Sequence, residues 1–234
     1  MKRLISSLLL LAALLIAGAG FPEEKVYSDH FTGGEASLRW MFFPFFNQDN
    51  LRAVKVDDAP DKDGGVGALT NENAGGFASL SYAVIPPLGE FTLSALVYCP
   101  ITGSEKAPLA GIAFLIDPVK GDFYRVVCDF KTKDPSINLA YVGRSTFNYP
   151  VFLMFWDPKE IPGGVPEKPG WHKMGVRVKG GKTDVYWNDK PLPGGPFDTG
   201  HIQRGYVGVY TNFVGGLGDA AAIVDAFTLK PETE

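Results

Sequence analysis

Apolar and polar residues alternate in short runs along most of the chain, and glycine, proline, asparagine and aspartate separate the runs. Phe91-Thr92-Leu93-Ser94-Ala95-Leu96-Val97 shows the pattern most clearly. A strand turns successive side chains to opposite faces, so Phe91, Leu93, Ala95 and Val97 share one face. Ala110–Ile116 is apolar throughout and predicts a strand buried on both faces. In Phe123–Phe130, Tyr124, Val126, Cys128 and Phe130 fall on one face, with Phe123, Arg125, Val127 and Asp129 on the other. Ala78–Val84, Leu51–Val56 and Asn138–Val142 predict further strands, and Phe21–Phe31 a first strand region.

The last third repeats the pattern at higher density. Trp171–Val178, Thr183–Trp187, Gly205–Thr211 and Asp225–Leu229 read as strands. Gly180-Gly181 turns one hairpin, and Asn188-Asp189 suits a tight two-residue turn for the next. Val176 and Val178, Val185 and Trp187, Val207 and Val209, and Phe227 and Leu229 supply inward residues at period two. Trp171 and Trp187 are both expected in the core. No helical periodicity extends over ten residues beyond the N-terminus, so the fold class is all-β.

Residues 1–19 differ from the rest. Lys2 and Arg3 precede an apolar run from Leu4 to Ile16, followed by the small residues Ala17-Gly18-Ala19, a pattern that predicts a cleaved export signal. The run is shorter than the roughly 20 residues a membrane span needs, so no span is expected after cleavage. A secreted or periplasmic product is the expectation, with residues 20–234 as a single domain. Losing Lys2 and Arg3 takes the formal charge from −4 to about −6. An acidic chain without a basic cluster excludes nucleic acid and anionic membrane as expected partners, but not neutral sugars.

Two cysteines remain, Cys99 and Cys128, each at or inside a predicted strand with one strand between them. Strands one apart in a sheet lie about 9–10 Å apart, beyond disulfide reach. Export would nevertheless permit a bridge, and the sequence leaves the pairing open.

Tyr27-Ser28-Asp29-His30-Phe31, the strand Trp171–Val178, the hairpin Val185-Tyr186-Trp187-Asn188-Asp189, the strand Gly205–Thr211 and the closing Asp225-Ala226-Phe227-Thr228-Leu229 together resemble the concanavalin A-like lectin/glucanase superfamily. Within it, the resemblance is to laminin-G-like bacterial jelly-roll domains. It implies a two-sheet antiparallel jelly-roll β-sandwich with the first and last strands adjacent. It also implies a possible structural Ca²⁺ between the first and last strands, with Asp29 and Asp225 as the carboxylates to test; no other cofactor is expected.

Function is less legible. Glucanases of this fold carry paired acids on one strand, and that motif is absent: none of the ten glutamates lies inside a confident strand. The chain is therefore read as leaning away from catalysis. Asp61, Asp63 and Gly64 fail the EF-hand pattern, because Ala59 and Thr70 stand where acids are needed. His30, His172 and His201 lack zinc spacing. His201 reads as a solvated loop residue.

Sugar binding asks only for aromatic faces with polar groups beside them. The irregular segments Trp40–Phe46 and Arg144–Gly170 are rich in aromatics, and so long a connection as the second suggests a flap or a binding loop. The candidate ligand-binding residues are Trp40, Phe43, Tyr98, Arg125, Asp129, Tyr149, Trp156, Arg177 and Tyr186. The expectation is a non-catalytic carbohydrate-binding or cell-surface module whose partner is a glycan or cell-envelope polysaccharide. The alternatives are a hydrolase or lyase assembled from separate strands, and an envelope protein that assembles through its aromatic loops.

Overall fold

The computed structural model describes residues 25–31, 35–43, 51–53, 67–69, 78–99, 109–129, 135–146, 150–168, 170–212 and 222–232. The predicted export signal and Tyr149 lie outside them, as does the acidic turn around Asp61. In chain order the strands are β1 (Tyr27–Asp29), β2 (Trp40–Phe42), β3 (Leu51–Ala53), β4 (Gly67–Leu69), β5 (Ala78–Ala83), β6 (Phe91–Cys99), β7 (Leu109–Asp117) and β8 (Asp122–Asp129). They continue with β9 (Ser136–Val142), β10 (Val151–Trp156), β11 (Gly170–Lys179), β12 (Lys182–Trp187), β13 (Lys190–Pro191), β14 (Phe197–Asp198), β15 (Tyr206–Asn212) and β16 (Ala222–Pro231). One 3₁₀ turn, Arg144–Thr146, is the sole helical element among the described residues. No described helix is long and apolar enough to cross a membrane.

The strands form two antiparallel sheets, as a jelly-roll β-sandwich requires. The nine-stranded sheet runs β13-β12-β11-β6-β16-β4-β3, with β1 on β16 and β14 on β12. The seven-stranded sheet runs β10-β9-β8-β7-β15-β5-β2. First and last strands are neighbours as expected: Tyr27 pairs with Leu229 and Asp29 with Phe227.

Alternation drives the assembly. Strand β6 is buried at every second residue from Phe91 to Cys99. Met174, Val176 and Val178 of β11 and Val185 and Trp187 of β12 meet it in the same core, opposite Ile112, Phe114, Val126 and Leu139 of the other sheet. Each such side chain stabilises the fold by about 1.5–3 kcal/mol when fully buried. Strand β7 is buried on both faces, because the seven-stranded sheet carries a second apolar cluster on its outer side: Leu80, Tyr82, Ala113, Phe123, Val127 and Tyr210 under Phe43.

The turns carry the predicted chemistry. Gly180 and Gly181 both have positive φ, 55° and 71°, a conformation that costs glycine little. Asn188 and Asp189 adopt φ of 49° and 62°, as a type I′ turn demands.

Two sequence expectations are corrected. Trp171 is half-buried on the outer face of its sheet, edge-to-face with Tyr98 at 5.5 Å, not in the core. Its parity is opposite to that of Met174, Val176 and Val178, which point inward. His172 has the inward parity and stacks on Trp187 at 4.9 Å. The cysteines are not separated by a strand of one sheet: Cys99 ends β6 and Cys128 lies in β8, on opposite sheets, with their Sγ atoms 3.2 Å apart.

Burial lowers the His172 pKa, against a smaller raising effect of its Asn188 hydrogen bond. The folded state therefore favours the neutral ring, and its contribution to stability is complete above the ordinary histidine pKa near 6.5. That contribution is lost as pH falls through and below 6.5. Urea melts of wild type and His172→Gln should diverge less at pH 5 than at pH 8. A gap that widens on acidification would reverse this assignment.

Candidate functional site

The cross-strand register lays out the outer face of the seven-stranded sheet in two rows. One row runs Phe152, Ala140, Arg125, Ala113, Gly208, Tyr82 and Met41 across neighbouring strands. The other runs Phe155, Asn138, Val127, Gly111, Tyr210 and Leu80. A Cβ at Gly111 or Gly208 would run into the backbone of Val126 or Ser81, so neither position can carry a side chain. Small residues thus lie between an aromatic rim on β10 and tyrosines on β15 and β5.

The rim depends on an irregularity. Among the described residues β10 pairs only with β9 and forms the edge of the sheet. Its register shifts between Phe152 and Met154. Without a bulge, residues three apart in a strand would face opposite ways. With it, Phe152 and Phe155 share the outer face, their rings 4.3 Å apart and each close to half exposed (44% and 48%). Met154 and Trp156 turn inward instead.

Beside this rim lie buried polar groups, and individual atoms of Arg125 and Asn138 meet no hydrogen-bond partner among the described residues. Arg125 is 3% exposed, and its guanidinium lies 4.8 Å from the centre of the Tyr210 ring. Its Nε and Nη1 meet no acceptor. Asn138, also buried, has an Oδ1 that meets no donor. Buried polar atoms are normally hydrogen-bonded, and leaving one unmet costs about 1–3 kcal/mol. Asp129 sits on the same face two residues beyond Val127.

The outer face of the nine-stranded sheet contrasts with this. Arg177 makes a two-pronged ion pair with Glu232, at 2.6 and 3.3 Å. Lys173 pairs with Asp189 at 2.7 Å and Lys182 with Asp198 at 3.0 Å. The hydrogen bond from Arg177 leads the lowering of the Glu232 pKa. Tyr98 and Tyr186 are half-buried here, and a cavity of about 240 Å³ runs past Tyr186, Gly175 and Ser94. Much of the charge on this face is thus paired.

The predicted site residues therefore separate. Arg125 and Asp129 share the seven-stranded face, whereas Tyr98, Arg177 and Tyr186 share the other. Trp156 is fully buried, donating Nε1–H to the Pro193 carbonyl at 2.8 Å and meeting Phe197 edge-on, so it offers no stacking face. Phe43 is equally buried, against Phe123. Trp40 is half-buried between Phe31 and Phe227 and donates Nε1–H to Asp29 at 2.8 Å. Phe152, Phe155 and Asn138 were not singled out from the sequence. The aromatic density of the segment was the signal for the two phenylalanines, and the bulge decided which rings face out.

Asp29 and Asp225 do not fit a calcium site. Cations of this kind take six to eight oxygens at about 2.3–2.6 Å. Asp29 is fully buried, and its two oxygens already accept four N–H groups: those of Phe31 and Ser37 on Oδ1, and those of Leu38 and the Trp40 indole on Oδ2. A ring of donors repels a cation. Asp225 accepts from the Ala226 amide at 2.6 Å, which steadies that residue at φ 48° beside the break in β16–β6 pairing. Among the described residues no three His, Cys, Asp or Glu side chains are grouped to hold a metal.

A cleft of about 670 Å³ opens at one end of the sandwich, lined by Asp117, Lys120, Asp122, His201, Gln203 and Arg204. Asp117 and Asp122 are Cα partners there. Both carboxylates hold backbone: Asp117 accepts from Val119 and Lys120, and Asp122 from Arg144. His201 is exposed and meets Tyr141 edge-on at 5.3 Å.

No family model matches the chain, and no curated protein does. Solved structures do. The carbohydrate-binding module CBM66 from Bacillus subtilis is similar at a TM-score of 0.54 and 11% identity, over 83% of this chain and 97% of that one. The Ca²⁺-bound exoplasmic/lumenal domain of VIP36 gives 0.56 and 15%, over 88% and 90%. The Bacillus licheniformis β-glucanase gives 0.54 and 11%, over 89% and 97%. Identities this low speak to architecture, and with the two sheets and their strand order they agree on one: the chain has the concanavalin A-like jelly-roll fold.

Proposed function

We propose that this is an exported carbohydrate-binding protein that takes its glycan on the outer face of the seven-stranded sheet, at the β10 rim. The carrying observation is the exposed Phe152–Phe155 pair set directly across from Asn138 and one strand further from Arg125. A sugar ring offers an apolar C–H face and a girdle of hydroxyls. The half-exposed rings supply the apolar platform on which such a C–H face can stack. A bond-making step is not needed. The likeness to a carbohydrate-binding module supports this reading. The basic, apolar and small-residue sequence of residues 1–19 supports export.

Titration of a bound soluble polysaccharide by calorimetry tests it. Phe152→Ala with Phe155→Ala should weaken binding about ten- to a hundred-fold, since lost stacking and burial amount to about 1.4–2.8 kcal/mol. Melting temperature should stay within a few degrees, because both rings are half in water. Unchanged affinity in the double variant removes the rim from the site.

A second reading, a carbohydrate-active enzyme, rests on Asp117 and Asp122 facing one another in the end cleft beside His201. It predicts reducing-end release from a polysaccharide panel that Asp122→Asn abolishes. Binding without product release favours the first reading.

A further inference from the structure

We propose that Cys99 and Cys128 form a disulfide that staples the two sheets together when the chain folds in the presence of a disulfide donor. The two sulfurs come from opposite layers: Cys99 is the last residue of β6 in the nine-stranded sheet, and Cys128 lies near the end of β8 in the seven-stranded one. Both side chains point into the shared core, 1% and 3% exposed. As thiols they are in contact, Sγ to Sγ 3.2 Å. A covalent bond needs a closer approach of about 1 Å, within the reach of two side-chain rotations. Nothing else in the core competes for the pair: the second contact of each sulfur is a weak one to a backbone carbonyl, Val97 for Cys99 and Ala110 for Cys128.

Burial and the adjoining Cys128 thiol push the Cys99 pKa well above the ordinary thiol range. A neutral, enclosed thiol is a poor nucleophile, so exchange belongs to the assembling chain and not to the finished fold. The step balances. One cysteine thiolate attacks the donor disulfide, giving a mixed disulfide and one donor thiolate. The second cysteine thiolate then displaces the other donor half. The two cysteines lose two protons and two electrons, and the donor becomes two thiols. An oxidised low-molecular-weight disulfide or an oxidoreductase disulfide can serve as the donor, and the exported location inferred from residues 1–19 is where such bonds persist. The bridge would close the chain between residues 29 positions apart, including the β6–β7 connection and all of β7.

The test is oxidative refolding in a mixture of oxidised and reduced glutathione, followed by denaturation, alkylation with iodoacetamide and peptide mass spectrometry. The expected result is a Cys99–Cys128 cross-linked peptide with neither sulfur alkylated. The bridged protein should melt about 5–10 °C above the same protein refolded under reductant. A double variant, Cys99→Ala with Cys128→Ala, should melt at one temperature with or without reductant. Should that variant fail to fold, the alkylation pattern and the paired melts of the wild type decide alone. Two alkylated cysteines after oxidative refolding would overturn the proposal, as would a bridged form that melts no higher than the reduced one.

Discussion

Asp29→Ala is expected to lower the unfolding free energy by about 3–5 kcal/mol, enough to remove a large share of the stability of an ordinary domain. The carboxylate is fully buried and ties together three pieces of chain. It fixes the turn after β1 through Phe31, the approach to β2 through Ser37 and Leu38, and the Trp40 ring through its indole N–H. Alanine leaves four donors without their acceptor, and the first strand loses its hold beside Phe227 of β16. Asp29→Asn should fall between, since one oxygen survives for Phe31 and Ser37 while an NH₂ group faces the donors of Leu38 and Trp40. Urea unfolding followed by tryptophan fluorescence measures all three. A loss under 1 kcal/mol in Asp29→Ala, together with a wild-type melting temperature that climbs when Ca²⁺ is added, would restore the calcium role the structure argues against.

Trp156→Ala is expected to cost about 3–5 kcal/mol as well, by a different route. The indole fills the core between the sheets, its N–H meets the Pro193 carbonyl, and its face meets the Phe197 ring. Trp156→Phe keeps most of the volume and gives up the hydrogen bond, so its loss should be closer to 1–2 kcal/mol. The neighbouring Phe155→Ala should show the opposite profile, with little change in stability and weaker glycan binding. Chemical denaturation and a binding titration on the same three variants separate the roles. A Trp156→Ala protein as stable as wild type but unable to bind would return Trp156 to the ligand site.

These two residues show what the sequence could and could not disclose. Asp29 and its strand were readable through Tyr27 and Phe31 beside the closing strand, and the register confirms that pairing residue by residue. Alternation from Phe91 to Val97 and from Val176 to Trp187 carried the core directly into the structure. Phe155 and Trp156 were harder. Adjacent residues on a regular strand face opposite ways, but which one faces out depends on register and on the bulge after Phe152, and both follow from the pairing with β9. The cysteines were misplaced because strand order along the chain does not say which sheet a strand joins. Strand β7 follows β6 in sequence yet lies in the other layer, and that step carries Cys128 across the sandwich to Cys99. Arg125 was found by its polar type in an apolar strand. That its donors would be buried and unmatched emerges only from the packing of Tyr210 and its neighbours.

The proposed glycan site is the outer face of the seven-stranded sheet, at the β10 rim. Affinity electrophoresis through gels containing a β-glucan, a mannan, a fructan or a polyuronate probes that face, with three proteins run side by side. These are the wild type, the Phe152→Ala/Phe155→Ala double variant, and Trp171→Ala, which removes a half-buried ring from the opposite face. At least one polysaccharide is expected to retard the wild type and Trp171→Ala alike and to leave the double variant unretarded. Retardation that survives in the double variant and disappears in Trp171→Ala would contradict that site, as would a wild type retarded by none of the four.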